Sequence, residues 1–129
     1  MTTANGSEAV VVDSSGWLEY ITGDEKAGLF ASYFETDTLV LVPAIVLYEV
    51  RKILLLRKLD TLAHWFVSEA LRRPVIAIGE DIALCAATIS LEYQLSMADA
   101  FLYAAARSRE AHFVTSDAHF KDLPHVTLV

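Results

Sequence analysis

Four short stretches, AVVV (9–12), LVLV (39–42), VIAI (75–78) and HFVT (112–115), are apolar without a break or nearly so. A strand with one wet face alternates apolar and polar residues; a run that does not alternate is buried on both faces, as in a parallel sheet covered by helices. The segments between these runs carry helical patterns, and alternation of strand and helix is what a parallel sheet requires. The chain is therefore expected to form a three-layer α/β/α sandwich around a central, mainly parallel sheet.

The intervening helices are expected at about 17–21, with Ser14, Ser15 and Gly16 as its cap, at 24–35, from Pro43 in the first turn to Arg57 or Lys58, and at 62–71, capped by Asp60 or Thr61. Further helices are read at 80–93 and after Ser96, and a last strand at 126–129 follows a turn at 117–122. At 129 residues there is room for one core of ordinary size. Residues 1–8 are polar and expected to be a flexible leader, leaving 9–129 as the domain.

Composition excludes several classes. The longest apolar run, 39–48, contains Pro43 and is too short for a spanning helix, which needs roughly 18 to 20 residues. No positively charged, apolar leader is present, so a cytoplasmic location without membrane contact is expected. The single cysteine, Cys85, lies among apolar neighbours and is expected to be a buried thiol. The hydrophobic fraction of 54% and mean hydropathy of +0.40 imply a large core or apolar surface that meets a partner. A net charge of −7 argues against binding nucleic acid by bulk electrostatics. The basic residues are clustered, however: Arg51, Lys52, Arg57 and Lys58 within eight positions, and Arg107 and Arg109 near a helix end.

Ligands of open parallel sheets sit beyond the carboxyl ends of the strands, which makes acidic residues there informative. Asp13 closes the first run and Asp117 follows the fourth, although each is also a competent helix or turn cap. Glu49 interrupts an apolar stripe, with Ile45 four residues before it and Ile53 four after; pairing with Arg51 or Lys52 is the ordinary alternative. Asp99 stands three residues after Ser96, the pattern of a capping box, at the head of a helix apolar enough to be buried. Four carboxylates from four segments would repel one another in one cleft. A hard divalent ion relieves that repulsion and in phosphodiester hydrolysis activates water.

The segments VVDSSGWLEY, PAIVLYEVRKIL, LSMADAFLYAAA and FVTSDAHFKDL, in this order and context, resemble the four acidic motifs of PIN-domain proteins, and among them the VapC-type ribonuclease toxins. The resemblance covers the chain from about residue 9 to its end. It implies a Mg²⁺- or Mn²⁺-dependent endoribonuclease acting on tRNA, rRNA or mRNA, with Asp13, Glu49, Asp99 and Asp117 as catalytic metal-binding residues. It further implies Ser14 as a supporting hydroxyl, Thr115 and Ser116 as groups orienting the last aspartate, a homodimer, and a small antitoxin that neutralises the toxin and binds operon DNA. Arg51, Lys52, Arg57 and Lys58 are the candidate RNA contacts, with a solvated helix face as their alternative. His119, two residues after Asp117, is read as a surface turn residue, with contact to substrate or metal as its alternative, His64, His112 and His125 as structural, and Trp17, Trp65, Phe101 and Tyr103 as core or dimer packing. A non-catalytic PIN-like module binding RNA or protein is the main rival. A phosphoacceptor receiver-like domain fits less well, because Ser14 follows Asp13 where such domains carry a second acid.

Overall fold

The computed structural model describes residues 8–129; all but Glu8 of the polar leader lies outside this range. Five strands, β1 (Val10–Val12), β2 (Val40–Pro43), β3 (Val75–Ile76), β4 (His112–Thr115) and β5 (Val126–Leu128), form one sheet in the order β3-β2-β1-β4-β5. Every neighbouring pair is parallel, with Val10 opposite both Val40 and His112. All residues of β1 and β2 are buried, which is why their sequences do not alternate.

Six helices connect the strands: α1 (Ser14–Thr22), α2 (Ala27–Phe34), α3 (Ala44–Leu56), α4 (Asp60–Ala70), α5 (Glu80–Tyr93) and α6 (Met97–Ser108). The crossovers from β1 to β2 and from β2 to β3 step one way along the sheet, and the crossover from β3 to β4 steps back past β1. Right-handed crossovers therefore send α1–α4 to one face and α5–α6 to the other, completing three layers. The reversal falls between β1 and β4, and it leaves a crevice where the two strands end.

Trp17, wholly buried, packs against Phe34 at 4.3 Å and edge-on against Phe66 at 5.2 Å, joining α1, α2 and α4. Across the sheet, Phe113 of β4 meets Phe120 at 4.7 Å and Tyr103 of α6 at 6.2 Å. Tyr103 also donates a hydrogen bond from its hydroxyl to the Pro124 carbonyl at 2.6 Å, so α6 and the loop after β4 are tied together.

Several local expectations are corrected. Asp13 rather than Ser14–Gly16 caps α1, because its carboxylate accepts from the Gly16 amide at 2.8 Å and lets the helix begin at Ser14. Pro43 ends β2 and precedes α3, its extended backbone completing the strand instead of opening the helix. Asp60 lies inside the first turn of α4, which has no side-chain cap. Helix α2 begins only at Ala27, and β3 is two residues long. Cys85 is exposed, since the outer face of α5 is uncovered: Leu84 and Leu91 on it are 72% and 85% exposed. Trp65 is 41% exposed and is not a core residue. No helix among the described residues is long and apolar enough to cross a membrane.

Candidate active site

The sheet's reversal places Asp13 immediately after β1 and Asp117 two residues after β4, side by side at the same edge. Two helices bring the other acids. Ser96 caps α6, its hydroxyl accepting from the Asp99 amide at 3.4 Å, so Asp99 sits in the positive first turn as its spacing predicts. Glu49 lies on the half-buried flank of α3. Asp13, Glu49, Asp99 and Asp117 line one recess of about 210 Å³ together with Ser14, Ser15, Leu18, Ile53 and Leu102. No Lys or Arg lines it.

Each acid has a defined environment. Asp13 is 5% exposed, and its Oδ2 accepts from the Thr115 hydroxyl at 2.5 Å and from Ser15 at 3.0 Å. The Thr115 oxygen in turn accepts from the Asp117 amide at 2.9 Å, so a single buried hydroxyl ties together the ends of β1 and β4. Glu49 is not paired with Arg51 or Lys52; its Oε1 accepts from the Ser14 hydroxyl at 2.6 Å. Asp117 caps the 3-10 turn Ala118–Phe120, its Oδ1 accepting from the His119 amide at 2.9 Å. Phe120, wholly buried against Phe113, anchors that turn. Local capping and convergence on one recess thus coexist for Asp13 and Asp117, whereas at α6 the cap is the Ser96 hydroxyl and the Asp99 carboxylate takes no reciprocal bond from the Ser96 amide.

Burial is the main reason that the Asp13 carboxyl is pushed above its ordinary range, with Asp117 adding to it and three hydrogen bonds opposing. Asp99 is raised as well, first by burial and then by the charges of Asp117 and Glu49. Burial and mutual repulsion make it costly to ionise these carboxyls together, no Lys or Arg among the described residues lines the recess to offset that cost, and the recess donors are all hard oxygens. These residues fit a divalent cation such as Mg²⁺ or Mn²⁺.

The tightest group is smaller than the quartet. Asp99, Asp117 and His119 each offer a ligand atom within 4.8 Å of the others, whereas Asp13 and Glu49 stand outside that group. His119 is exposed on the surface turn, as its sequence position suggested, and its Nδ1 is 3.1 Å from Asp117 Oδ1. Ser116 is partly exposed and its side chain has no hydrogen bond among the described residues.

The basic cluster lies elsewhere. Arg51 and Lys52 line a separate groove with Tyr48 and Leu55, and the Lys52 ammonium lies 5.4 Å from the Tyr48 ring centre. Arg57 caps α3 and Lys58 follows in the left-handed region, both exposed. Arg107 donates to the Ala111 carbonyl at 3.2 Å, tying its helix to β4.

An acidic crevice at the reversal of a parallel sheet ordered 3-2-1-4-5 is the arrangement of a PIN domain. The sequence model of that family matches residues 10–126, and this chain belongs to it. Among solved structures, the fold is similar to a toxin–antitoxin complex from Klebsiella pneumoniae, with a TM-score of 0.79 and 19% identity over 92% of this chain and 96% of that one. It is also similar to the Mycobacterium tuberculosis toxin VapC20, which cleaves the sarcin-ricin loop, at a TM-score of 0.72 and 22% identity over 92% and 97% of the two chains. A third relative in structure is VapBC2 from Rickettsia felis bound to a DNA fragment from its promoter (TM-score 0.71, 14% identity, 94% and 97% covered). No curated protein matches the sequence.

Proposed function

We propose that this chain is a Mg²⁺- or Mn²⁺-dependent endoribonuclease and the toxin of a toxin–antitoxin pair. The observation that carries the reading is the convergence of four carboxylates from four segments on one recess without a neutralising Lys or Arg. Asp99 and Asp117 hold the metal most directly, with Asp13 and Glu49 completing the acidic wall. A bound ion supplies a water of lowered pKa and stabilises the charge that develops on the phosphate during in-line attack.

The chain's own groups orient that chemistry. Thr115, Ser15 and the Gly16 amide hold the Asp13 carboxylate still, and Ser14 fixes one oxygen of Glu49. The exposed residues Arg51, Lys52, Arg57 and Lys58 meet RNA phosphates beyond the acidic recess and offset the chain's net charge of −7.

Tyr48 and Leu56 on α3, with Leu84, Leu91 and Met97 on the opposite layer, are large apolar side chains left exposed. A homodimer and a small antitoxin would cover such surface. The toxin–antitoxin assemblies from Klebsiella and Rickettsia support this partnership, which would operate in the cytoplasm.

The test is cleavage of tRNA, rRNA and mRNA substrates by the purified chain with Mn²⁺ and with EDTA, beside Asp99→Asn. Metal-dependent cleavage that the variant lacks is the expected result. Cleavage by Asp99→Asn, or cleavage in EDTA, would overturn the mechanism, and RNA binding without cleavage would establish the non-catalytic module instead.

A further inference from the structure

The imidazole of His119 is the only nitrogen donor in the tight group at the site. Two features bring it there. The Asp117 carboxylate caps the turn, taking the His119 amide at 2.9 Å, and the turn folds the ring back so that Nδ1 lies 3.1 Å from the same oxygen. Buried Phe120, next in sequence, keeps the turn from swinging away. Asp99 then approaches from α6, a separate element, and the three ligand atoms fall within 4.8 Å of one another.

An ion pair between one histidine and one aspartate would need no second carboxylate, and a second carboxylate beside the first is costly unless positive charge sits between them. Space is also present. A recess of about 260 Å³, lined by Gln94, Leu95, Ser96, Asp99 and His119, opens next to the four-acid recess, and Asp99 belongs to both.

We propose that His119 is a metal ligand which, with Asp99 and Asp117, makes this site select Mn²⁺ over Mg²⁺. The inference rests on the metal-dependent reading above and adds to it a donor that the acidic quartet does not contain. Mg²⁺ is bound through oxygen and keeps its water, whereas an imidazole adds most to the binding of transition metals. Mixed oxygen and nitrogen donors therefore shift the preference toward Mn²⁺, while an all-carboxylate site leaves the two ions closer in affinity.

The experiment uses the full chain stripped of metal, then loaded with Mn²⁺ and examined by pulsed electron paramagnetic resonance. The wild-type chain should show ¹⁴N coupling from a directly bound imidazole, and His119→Ala should lose it. In parallel titrations, the ratio of Mn²⁺ to Mg²⁺ affinity should fall on the order of tenfold in His119→Ala, the scale on which groups supporting a metal site act. The side chain of His119 is 79% exposed, so the variant should melt like the wild type in EDTA. Mn²⁺ bound to the wild type without ¹⁴N coupling, or an unchanged ratio in His119→Ala, would overturn the role of His119 while leaving the metal site standing. Tighter Mn²⁺ binding by His119→Ala would also overturn it, showing that the imidazole competes with the ion as a charge partner. A wild-type chain that binds neither ion would refute both the metal-dependent reading and this ligand.

Discussion

Thr115→Val tests how much the site depends on one hydroxyl. Valine matches threonine in shape, so no cavity opens at a position that is wholly buried. Two hydrogen bonds disappear: donation to Asp13 Oδ2 at 2.5 Å and acceptance from the Asp117 amide at 2.9 Å. The first is a bond to a charged group, worth about 1.5 to 3 kcal/mol. The second leaves an amide without its partner, at about 1 kcal/mol because it is only partly buried. Protonation of Asp13, already favoured by burial, offsets some of this loss.

The net expectation is about 3 kcal/mol, a shift in Tm of roughly 10 °C for a domain of this size. Urea denaturation in EDTA measures the stability, and Mn²⁺ titration should show a loss of about 10- to 100-fold in affinity. Thr115→Ser keeps the hydroxyl and should retain most of the metal affinity while losing about 1 kcal/mol for the missing methyl group. A Thr115→Val chain destabilised by less than about 1 kcal/mol, with wild-type Mn²⁺ affinity, would refute the claim that this bridge holds the two aspartates.

Gly16→Ala should cost about 1 to 3 kcal/mol and weaken Mn²⁺ binding, because the added Cβ would lie 2.6 Å from Val12 Cγ1, 2.7 Å from Phe30 Cε1 and 3.1 Å from Asp13 Oδ1; thermal melting and titration check both. Charge reversal at Arg57 and Lys58 should lower RNA affinity and reduce the salt slope by about 0.7 for each phosphate no longer neutralised, and an unchanged slope would move the RNA path elsewhere. The raised Asp13 and Asp99 carboxyls bind protons more tightly folded than unfolded. Their contribution to metal-free stability is therefore full below the unfolded value of 3.8 and lost as pH rises through the folded values. Melting in EDTA should show this decline weakened in Asp99→Asn, and Mn²⁺ should stabilise most at neutral pH, where protons do not compete; metal stabilisation that grew toward acid pH would contradict the assignment.

The parallel architecture was legible because burial on both faces of β1 and β2 leaves a mark in composition. Helix α5 and strand β4 have the bounds expected from their sequences, 80–93 and 112–115. Helix starts were less legible, since Asp60 suits a cap and a first turn equally well. Cys85 was misjudged for a different reason: apolar neighbours along a helix do not reveal which of its faces another element covers. The four acids stood out by position, at strand ends and within an apolar stripe. The bonds among them did not, because the Thr115 link to Asp13 depends on β1 and β4 being neighbours, and strand order is a property of the whole sheet.

That link spans 102 residues of sequence. During synthesis, a chain that has emerged through β3 already carries Asp13 and Glu49 but has no β4 beside β1. Its acidic crevice is half built, and closing it requires the most distant pairing in the sheet, the kind that chains make late. The nuclease activity proposed above should consequently appear only when nearly the whole chain is out and folded, and a product truncated before β4 should show no RNA cleavage when assayed beside the full chain.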